Sequence, residues 1–238
     1  MTSNLTPNRT NLIQLKTWLQ QACNDGFSRF IQHWDIIEKA FKEEKLLVLK
    51  QDTTAIGFIV FEIENEIVTI DLAELMPHKR GQGLAKPFIL DSLDYLRTQG
   101  ALAVKLYCAP EESEGFWKKC GFKRFEFPND DHIHMFKLLT ETLKTTTNPD
   151  SNKTDFIKLW DCESHLARRT EPKWTWELEY KENSQTLTKP IVIPAYSGWY
   201  LELITADNQI AHKKSKFPIQ SWNRPSFLVV KEIPSEYL

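Results

Sequence analysis

The chain has 238 residues, which is enough for one large or two small domains with adequate cores. Its formal net charge of −2 gives no general attraction to nucleic acid or to an anionic membrane. No apolar run approaches the roughly 20 residues that a membrane span needs, and residues 1–11 lack the apolar centre of a secretory signal. We therefore expect a soluble, cytoplasmic protein that does not act on membranes, with nucleic acid as an unfavoured partner.

Helices and then strands are predicted for the first part of the chain. Apolar residues recur at helical spacing from Leu12 to Ala22, and again from Phe27 to Phe41 after a break at residues 24–26. Three β-rich runs follow and are predicted to form strands: residues 46–49, 56–63 and 67–76.

A glycine-rich turn joins the third predicted strand to the next helix. Its sequence is Arg80-Gly81-Gln82-Gly83-Leu84-Ala85, and helical periodicity continues to residue 96. Pro87 is compatible with a first helical turn, so the helix is predicted to begin close to Gly83. Such a turn leaves several backbone N–H groups pointing at one spot, to which the helix dipole attracts anions. The turn therefore predicts a phosphate site, and an ordinary strand-to-helix turn is the alternative.

The remaining elements suggest two domains. Residues 101–108, 122–127 and 132–138 are predicted strands, and residues 111–119 a short helix. The polar stretch that follows is typical of a linker. The predicted domains are residues 1–144 and 155–238, with the linker at residues 145–154.

The predicted second domain is β-rich and aromatic. It contains five short β-type runs and five of the eight tryptophans, which indicates either an aromatic core or an aromatic binding face. Its basic groups, residues 168–169 and 213–216, are interpreted as ordinary solvated faces, because the charges of this part nearly balance.

No metal site is predicted from the cysteines or the histidines. The four cysteines are widely spaced and form no Cys-x-x-Cys pair. His132 and His134 alternate on a predicted strand, so both rings would face one side, but surface histidines are the favoured interpretation.

Two motifs together resemble the GCN5-related N-acetyltransferase (GNAT) superfamily. Its acyl-CoA signature is Arg/Gln-x-x-Gly-x-Gly/Ala, and Arg80, Gly83 and Ala85 fill the three defined positions. Residues 115–122 are similar to its later Phe-Tyr-x-x-x-Gly-Phe segment, with Trp117 at the tyrosine position. The resemblance covers residues 10–140 and implies an α/β fold, with a mixed, mostly antiparallel sheet flanked by helices.

The resemblance also implies an activity and a cofactor. The activity is acyl transfer from acetyl-CoA to a primary amine on a small molecule or a peptide. The backbone of residues 80–85 would hold the diphosphate, with the Arg80 side chain as an optional partner. Leu75 and Met76 would offer backbone groups to the pantetheine arm and the thioester carbonyl.

Asp71 and Glu74 are the predicted general bases, since the amine must arrive unprotonated. They differ by three positions, so on a regular strand they face opposite sides and only one would point into a cleft, unless a bulge changes the alternation. Asp71 is the first choice, because relatives often carry an acid there.

A general acid is harder to assign, because the indole of Trp117 cannot protonate the departing thiolate. Tyr107, Cys120 or water could replace the tyrosine of the family. The alternative hypothesis is a catalytically degenerate acyl-CoA-binding module that regulates through its C-terminal domain. A further one is that the C-terminal domain binds a macromolecule and directs acylation to it.

Overall fold

The computed structural model describes residues 5–126, 130–147, 154–196, 198–206, 210–215, 222–224 and 226–235. The chain divides into two compact units, Met1–Leu139 and Thr140–Leu238. Most of the predicted linker, residues 148–153, lies outside the described residues. Leu143 and Thr146, which precede these residues, belong to the second unit. They donate backbone hydrogen bonds to Pro190 and Thr175 of the same unit, at 2.9 and 2.8 Å.

The first unit is built on one sheet with helices on both faces. Its helices are α1 Arg9–Asn24, α2 Trp34–Lys42, α3 Ala85–Thr98 and α4 Glu114–Lys119. Its strands are β1 Leu46–Gln51, β2 Thr54–Glu64, β3 Ile67–Leu75, β4 Ala103–Tyr107, β5 Lys123–Phe125 and β6 His134–Leu138. The strand order is β1-β2-β3-β4-β6-β5, and every neighbouring pair is antiparallel except β3 with β4. The predicted mixed, mostly antiparallel sheet is therefore confirmed.

Helices α1 and α2 cover one face of this sheet. The buried side of α1 runs from Leu12 to Ala22 at the predicted spacing, and Asn8 caps its first turn by accepting from the Asn11 N–H at 2.9 Å. The second predicted helix is shorter than its periodicity suggested. A 3-10 turn spans Phe30–His33, α2 begins only at Trp34, and Phe27 is 63% exposed.

Helices α3 and α4 cover the opposite face. Apolar side chains of α3 pack in one cluster with Val68 and Ile70 of β3: Phe88, Ile89, Leu93 and Leu96. Helix α3 begins at Ala85, two residues after Gly83, so Pro87 stands in its first turn, where its missing N–H would have had no helical partner.

The second unit contains two antiparallel sheets among its described residues. The strands are β7 Phe156–Trp160, β8 Trp174–Glu177, β9 Thr186–Pro194, β10 Tyr200–Ile204, β11 Ile210–Ser215, β12 Asn223–Arg224 and β13 Phe227–Glu232. They are arranged in the orders β11-β10-β7-β8 and β12-β13-β9. A one-turn helix, α5 Ser164–Ala167, and strand β11 were not predicted.

The tryptophans of this unit form core rather than an exposed aromatic face. Four of the five are at least 93% buried: Trp160, Trp176, Trp199 and Trp222. The fifth, Trp174, stacks on Trp199 with ring centroids 5.4 Å apart. Asp155 ties the start of β7 to two other segments, because its carboxylate accepts from the Tyr180 hydroxyl at 2.8 Å and the Ala206 N–H at 2.9 Å.

Within the described residues, no helix combines the length and the apolar character that crossing a bilayer requires.

Candidate active site

A cleft opens in the first unit where β3 and β4 part. Their parallel pairing is confined to Ile67–Thr69 opposite Ala103–Lys105, although β3 continues to Leu75 beside β2. Beyond the last pair, residues of both strands line a cavity of about 1090 Å³. This volume is slightly above the roughly 300–1,000 Å³ typical of small-molecule sites. The cleft is therefore large enough for an extended ligand.

A β-bulge in β3 lies at Asp71. Leu72 is opposite Val60, whereas Ile70 is opposite Phe61, so Asp71 has no partner on β2. A bulge of this kind shifts the alternation of side chains by one residue. Both predicted bases, Asp71 and Glu74, consequently line the cleft, because β3 has the bulge that changes the alternation of a regular strand.

Asp71 is an exposed carboxylate near other charges. Burial of part of the carboxyl, and then the neighbouring Glu62 carboxylate, raise the pKa of Asp71, against the lowering effect of Lys105 and Lys45. Lys45 is itself held by Glu62, with Nζ 2.6 Å from Oε2. The environment thus makes Asp71 a stronger base than an ordinary aspartate.

Glu74 is more buried, and its carboxylate is fully engaged by donors. Its Oε1 accepts from Arg80 Nη2 at 2.9 Å and from the N–H of Leu75 at 2.8 Å. Its Oε2 accepts from the Ser28 hydroxyl at 3.4 Å. Burial raises the pKa of Glu74, against the effects of Arg80, the Leu75 N–H and Ser28.

The Arg80 side chain folds back on β3 rather than projecting freely. Besides its bond to Glu74, its Nε donates to the carbonyl of Leu75 at 3.1 Å. The Leu75 main chain is therefore bonded on both its N–H and its C=O. The Met76 N–H is also engaged, because it donates to the carbonyl of Ile56 at 2.8 Å.

The glycine turn lines the cleft with backbone whose N–H groups have no acceptor among the described residues. Gly81 and Gly83 have φ of +74° and +77°, and a Cβ on either would meet no atom of the chain within 4 Å. Among the described residues, none accepts a hydrogen bond from the backbone N–H groups of residues 81–86. Successive free N–H groups at left-handed residues before a helix form a concave site for an anion.

Two lysines add positive charge beside this turn. Lys86 lies in the first turn of α3, which contains no acidic residue, and Lys119 ends α4. Both lysines line the cleft. A cation is unfavourable at a helix N-terminus, where the dipole is already positive, unless an anion is bound there. Charge and backbone geometry at this end of the cleft therefore favour the same kind of ligand.

Trp117 is a core residue at the cleft wall. It is 7% exposed, and its ring lies 5.2 Å from those of Phe116 and Phe122 between centroids. Of the two side chains considered as its replacement, Tyr107 lines the cleft and is 52% exposed. Cys120 is 1% exposed in the core, where burial raises the pKa of its thiol.

Two of the predicted cofactor-binding residues lie apart from the cleft lining. Met76 is buried in the core on the α1 side, and the Gln82 side chain donates to the carbonyl of His78 at 2.8 Å. The other predicted cofactor residues all line the cleft: Leu75, Arg80, Gly81, Gly83, Leu84 and Ala85.

Several lining residues were not predicted. Lys86 could have been found from its place just after the glycine motif. The segment between α1 and α2 gives no such signal in its sequence. Ser28, Arg29 and Phe30 line the cleft only because of how the chain folds between the two helices.

A histidine pair stands next to Tyr107. The rings of His132 and His134 lie near each other, with centroids 6.3 Å apart, although β6 begins at His134 and the predicted strand over both histidines is not formed. The Tyr107 ring lies 5.4 Å from that of His132. The Asp130 carboxylate bridges them, at 2.7 Å from His132 Nδ1 and 2.8 Å from His134 Nε2. The His132 backbone N–H and the two rings hold the pKa of Asp130 well below its usual range.

Residues 13–122 match the family described as the acetyltransferase (GNAT) family. The matched range contains the glycine turn, both carboxylates of β3 and the segment around Trp117. No curated protein matches the chain in sequence.

Solved structures similar to the chain cover a little over half of it. The PaiA N-acetyltransferase of Thermoplasma acidophilum, in complex with coenzyme A, is 20% identical, with 56% of this chain and 96% of that chain covered and a TM-score of 0.44. A chimeric spermidine N-acetyltransferase SpeG, from Vibrio cholerae and hSSAT, is 18% identical, with 57% and 93% covered and a TM-score of 0.44. GCN5 of Tetrahymena is 15% identical, with 58% and 93% covered and a TM-score of 0.45.

Proposed function

Because residues 13–122 belong to the acetyltransferase (GNAT) family, we propose that the chain is an acyl-CoA-dependent N-acyltransferase. The proposed reaction transfers the acetyl group of acetyl-CoA to a primary amine. One observation carries the proposal above the others. The glycine turn lines a cleft that separates two strands, and its backbone N–H groups have no acceptor among the described residues.

The residues present fit the cofactor. The N–H groups of residues 81–86 and the side chain of Lys86 suit a diphosphate, and the open space at Gly81 and Gly83 leaves room for its oxygens. When bound, acetyl-CoA would supply an acyl group activated as a thioester. The parted edges of β3 and β4 give an extended arm a path toward Asp71 and Tyr107.

Asp71 is the proposed general base. Its exposed carboxylate at the bulge can accept a proton from the ammonium of the acceptor, directly or through a water molecule. The raised pKa of Asp71 brings its basicity closer to that of the amine. Glu74 is the second proposed base, but its bonds to Arg80, Leu75 and Ser28 must loosen before it can take a proton.

Tyr107 is the proposed proton donor to the departing sulfur. It is a phenol in the cleft wall, whereas the indole of Trp117 donates no proton and the thiol of Cys120 lies in the core. The rings of His132 and His134 contact that of Tyr107, with centroids 5.4 and 6.4 Å away. A thiolate is a fairly good leaving group, so this step needs less assistance than deprotonation of the amine.

Two measurements on the full chain test the proposal. Isothermal titration with acetyl-CoA should give saturable binding, and release of the CoA thiol should be detected with at least one class in a panel of polyamines, aminoglycosides and peptides with free amino termini. The absence of measurable binding would refute the proposal. Binding without thiol release across the panel would instead favour the regulatory module that the sequence left open.

A further inference from the structure

The main chain of Leu75 is held by two side chains inside the cleft. Its N–H donates to Glu74 Oε1 at 2.8 Å, and its carbonyl accepts from Arg80 Nε at 3.1 Å. The third side of this arrangement is the ion pair between Arg80 Nη2 and Glu74 Oε1, at 2.9 Å. We call these three residues the Glu74 clasp.

Ser28 attaches the Glu74 clasp to the segment that follows α1. Its hydroxyl donates to Glu74 Oε2 at 3.4 Å and accepts from the N–H of Phe30 at 3.3 Å. Ser28 is 9% exposed, and the Glu74 side chain is 11% exposed. Both carboxylate oxygens are therefore held by donors in a partly dry setting, where such bonds are stronger than on an open surface.

The proposed function assigns the same amide a second acceptor. The family resemblance implies that backbone groups of Leu75 and Met76 meet the pantetheine arm and the thioester carbonyl. Because the Met76 N–H is already bonded to the carbonyl of Ile56, the Leu75 N–H is the donor assigned here to the thioester carbonyl. One N–H that points at Glu74 Oε1 at 2.8 Å cannot also donate a strong, linear bond to a carbonyl. An acyl carbonyl that takes this N–H must displace the carboxylate.

We propose that Glu74 is an internal competitor of the acyl carbonyl for the Leu75 N–H, so that the Glu74 clasp must open before the thioester is polarised. This inference rests on the proposed function. Arg80 links the two events, because it belongs to the clasp and is also the first residue of the glycine turn. A diphosphate that draws the guanidinium toward the turn weakens its hold on Glu74 and on the Leu75 carbonyl.

The competition predicts a difference in how Glu74 affects the affinities for CoA and for acetyl-CoA. Acetyl-CoA and CoA share the diphosphate and the pantetheine arm, but only acetyl-CoA has the acyl carbonyl. Any coupling through Arg80 and the diphosphate is common to both ligands, whereas the competition for the Leu75 N–H opposes acetyl-CoA alone. Removing the carboxylate should improve the affinity for acetyl-CoA relative to CoA.

The test measures Kd for both ligands by isothermal titration of the full chain. In Glu74→Ala, the ratio of the CoA Kd to the acetyl-CoA Kd should rise about 5-fold over the wild type, the equivalent of one hydrogen bond of about 1 kcal/mol. Glu74→Gln is the matched control, because its amide oxygen still accepts from the Leu75 N–H but lacks the charge. It should give a smaller rise.

Ser28→Ala gives an independent test if Glu74→Ala is poorly folded. It leaves the carboxylate in place but removes the donor to Oε2, so the ratio should rise by less than in Glu74→Ala and in the same direction. Unchanged ratios in the Glu74 and Ser28 variants, with both ligands still bound, would overturn the competition and leave the proposed function intact. A wild-type chain that bound neither ligand would overturn the proposed function, and this inference with it.

Discussion

Replacing Gly83 by alanine separates a role in ligand binding from a role in folding. Gly83 has φ of +77°, and a Cβ built on it meets no atom of the chain within 4 Å. The only penalty inside the protein is then the left-handed backbone, which costs an ordinary residue about 1–2 kcal/mol. The open space around the Cβ is the space in which a diphosphate would lie.

Gly100 provides the matched control. It follows the C-cap of α3, has φ of +87°, and would also meet nothing within 4 Å of an added Cβ, but it does not line the cleft. Gly100→Ala and Gly83→Ala should each lower the free energy of unfolding by about 1–2 kcal/mol in urea denaturation. Only Gly83→Ala should also weaken acetyl-CoA binding.

The expected loss of affinity follows from the bonds at stake. A hydrogen bond to a charged phosphate contributes about 1.5–3 kcal/mol, so the loss of one at the turn raises Kd roughly 10- to 150-fold. Isothermal titration of both variants against the wild type measures this directly. If Gly83→Ala bound acetyl-CoA as well as Gly100→Ala does, the turn would not be the diphosphate site, and the reasoning from its geometry would be refuted.

Three further substitutions test Asp71 as the general base, Trp117 in the core of the first unit and Asp155 in the second unit. Asp71→Asn should lower kcat about 100- to 10,000-fold with little change in the acetyl-CoA Kd. Because the pKa of Asp71 is raised, the wild-type rate should fall on acidification at a pH above the ordinary carboxyl value of about 3.9, and a profile flat down to that pH would contradict the assignment. Trp117→Ala should lower the free energy of unfolding by about 3–5 kcal/mol and Trp117→Phe by less, and equal losses would show that the ring is not packed in the core. Asp155→Ala should cost about 1–3 kcal/mol by leaving Tyr180 and Ala206 without their acceptor, whereas Asp155→Asn keeps an acceptor oxygen and should cost less in thermal unfolding.

The first helix, the strands of the first unit and the glycine turn could be predicted because each is a local pattern, whereas the arrangement of the strands in one sheet came from the family resemblance. The buried side of α1 follows directly from a periodicity of 3.6 residues between Leu12 and Ala22. Glycine is scarce elsewhere in the chain, so Gly81 and Gly83 indicate backbone positions with positive φ. Both residues have a positive φ. Patterns of this kind depend on residues close in sequence, which is why they can be read from one chain.

The second predicted helix shows where periodicity fails. Phe27 fits the helical spacing of the residues after it, yet it lies in the turn between α1 and the 3-10 segment and is largely exposed. Spacing alone cannot tell an aromatic residue that packs in the core from one at the mouth of a cleft. The same limit applies to Ser28, whose contact with Glu74 joins residues 46 positions apart.

The bulge at Asp71 shows how one extra residue in β3 decides the chemistry of the cleft. On an unbroken strand, Glu74 would share the face of Val68 and Ile70, which pack against the α3 side of the sheet. The extra residue moves it to the opposite face, where Ser28 and Arg80 reach its carboxylate. Asp71 itself is left without a partner on β2 and exposed in the cleft. The sequence alone identified both carboxylates as candidates. The register of β3 on β2 leaves Asp71 open to an acceptor amine, and it places Glu74 on the Leu75 N–H that an acyl carbonyl would need.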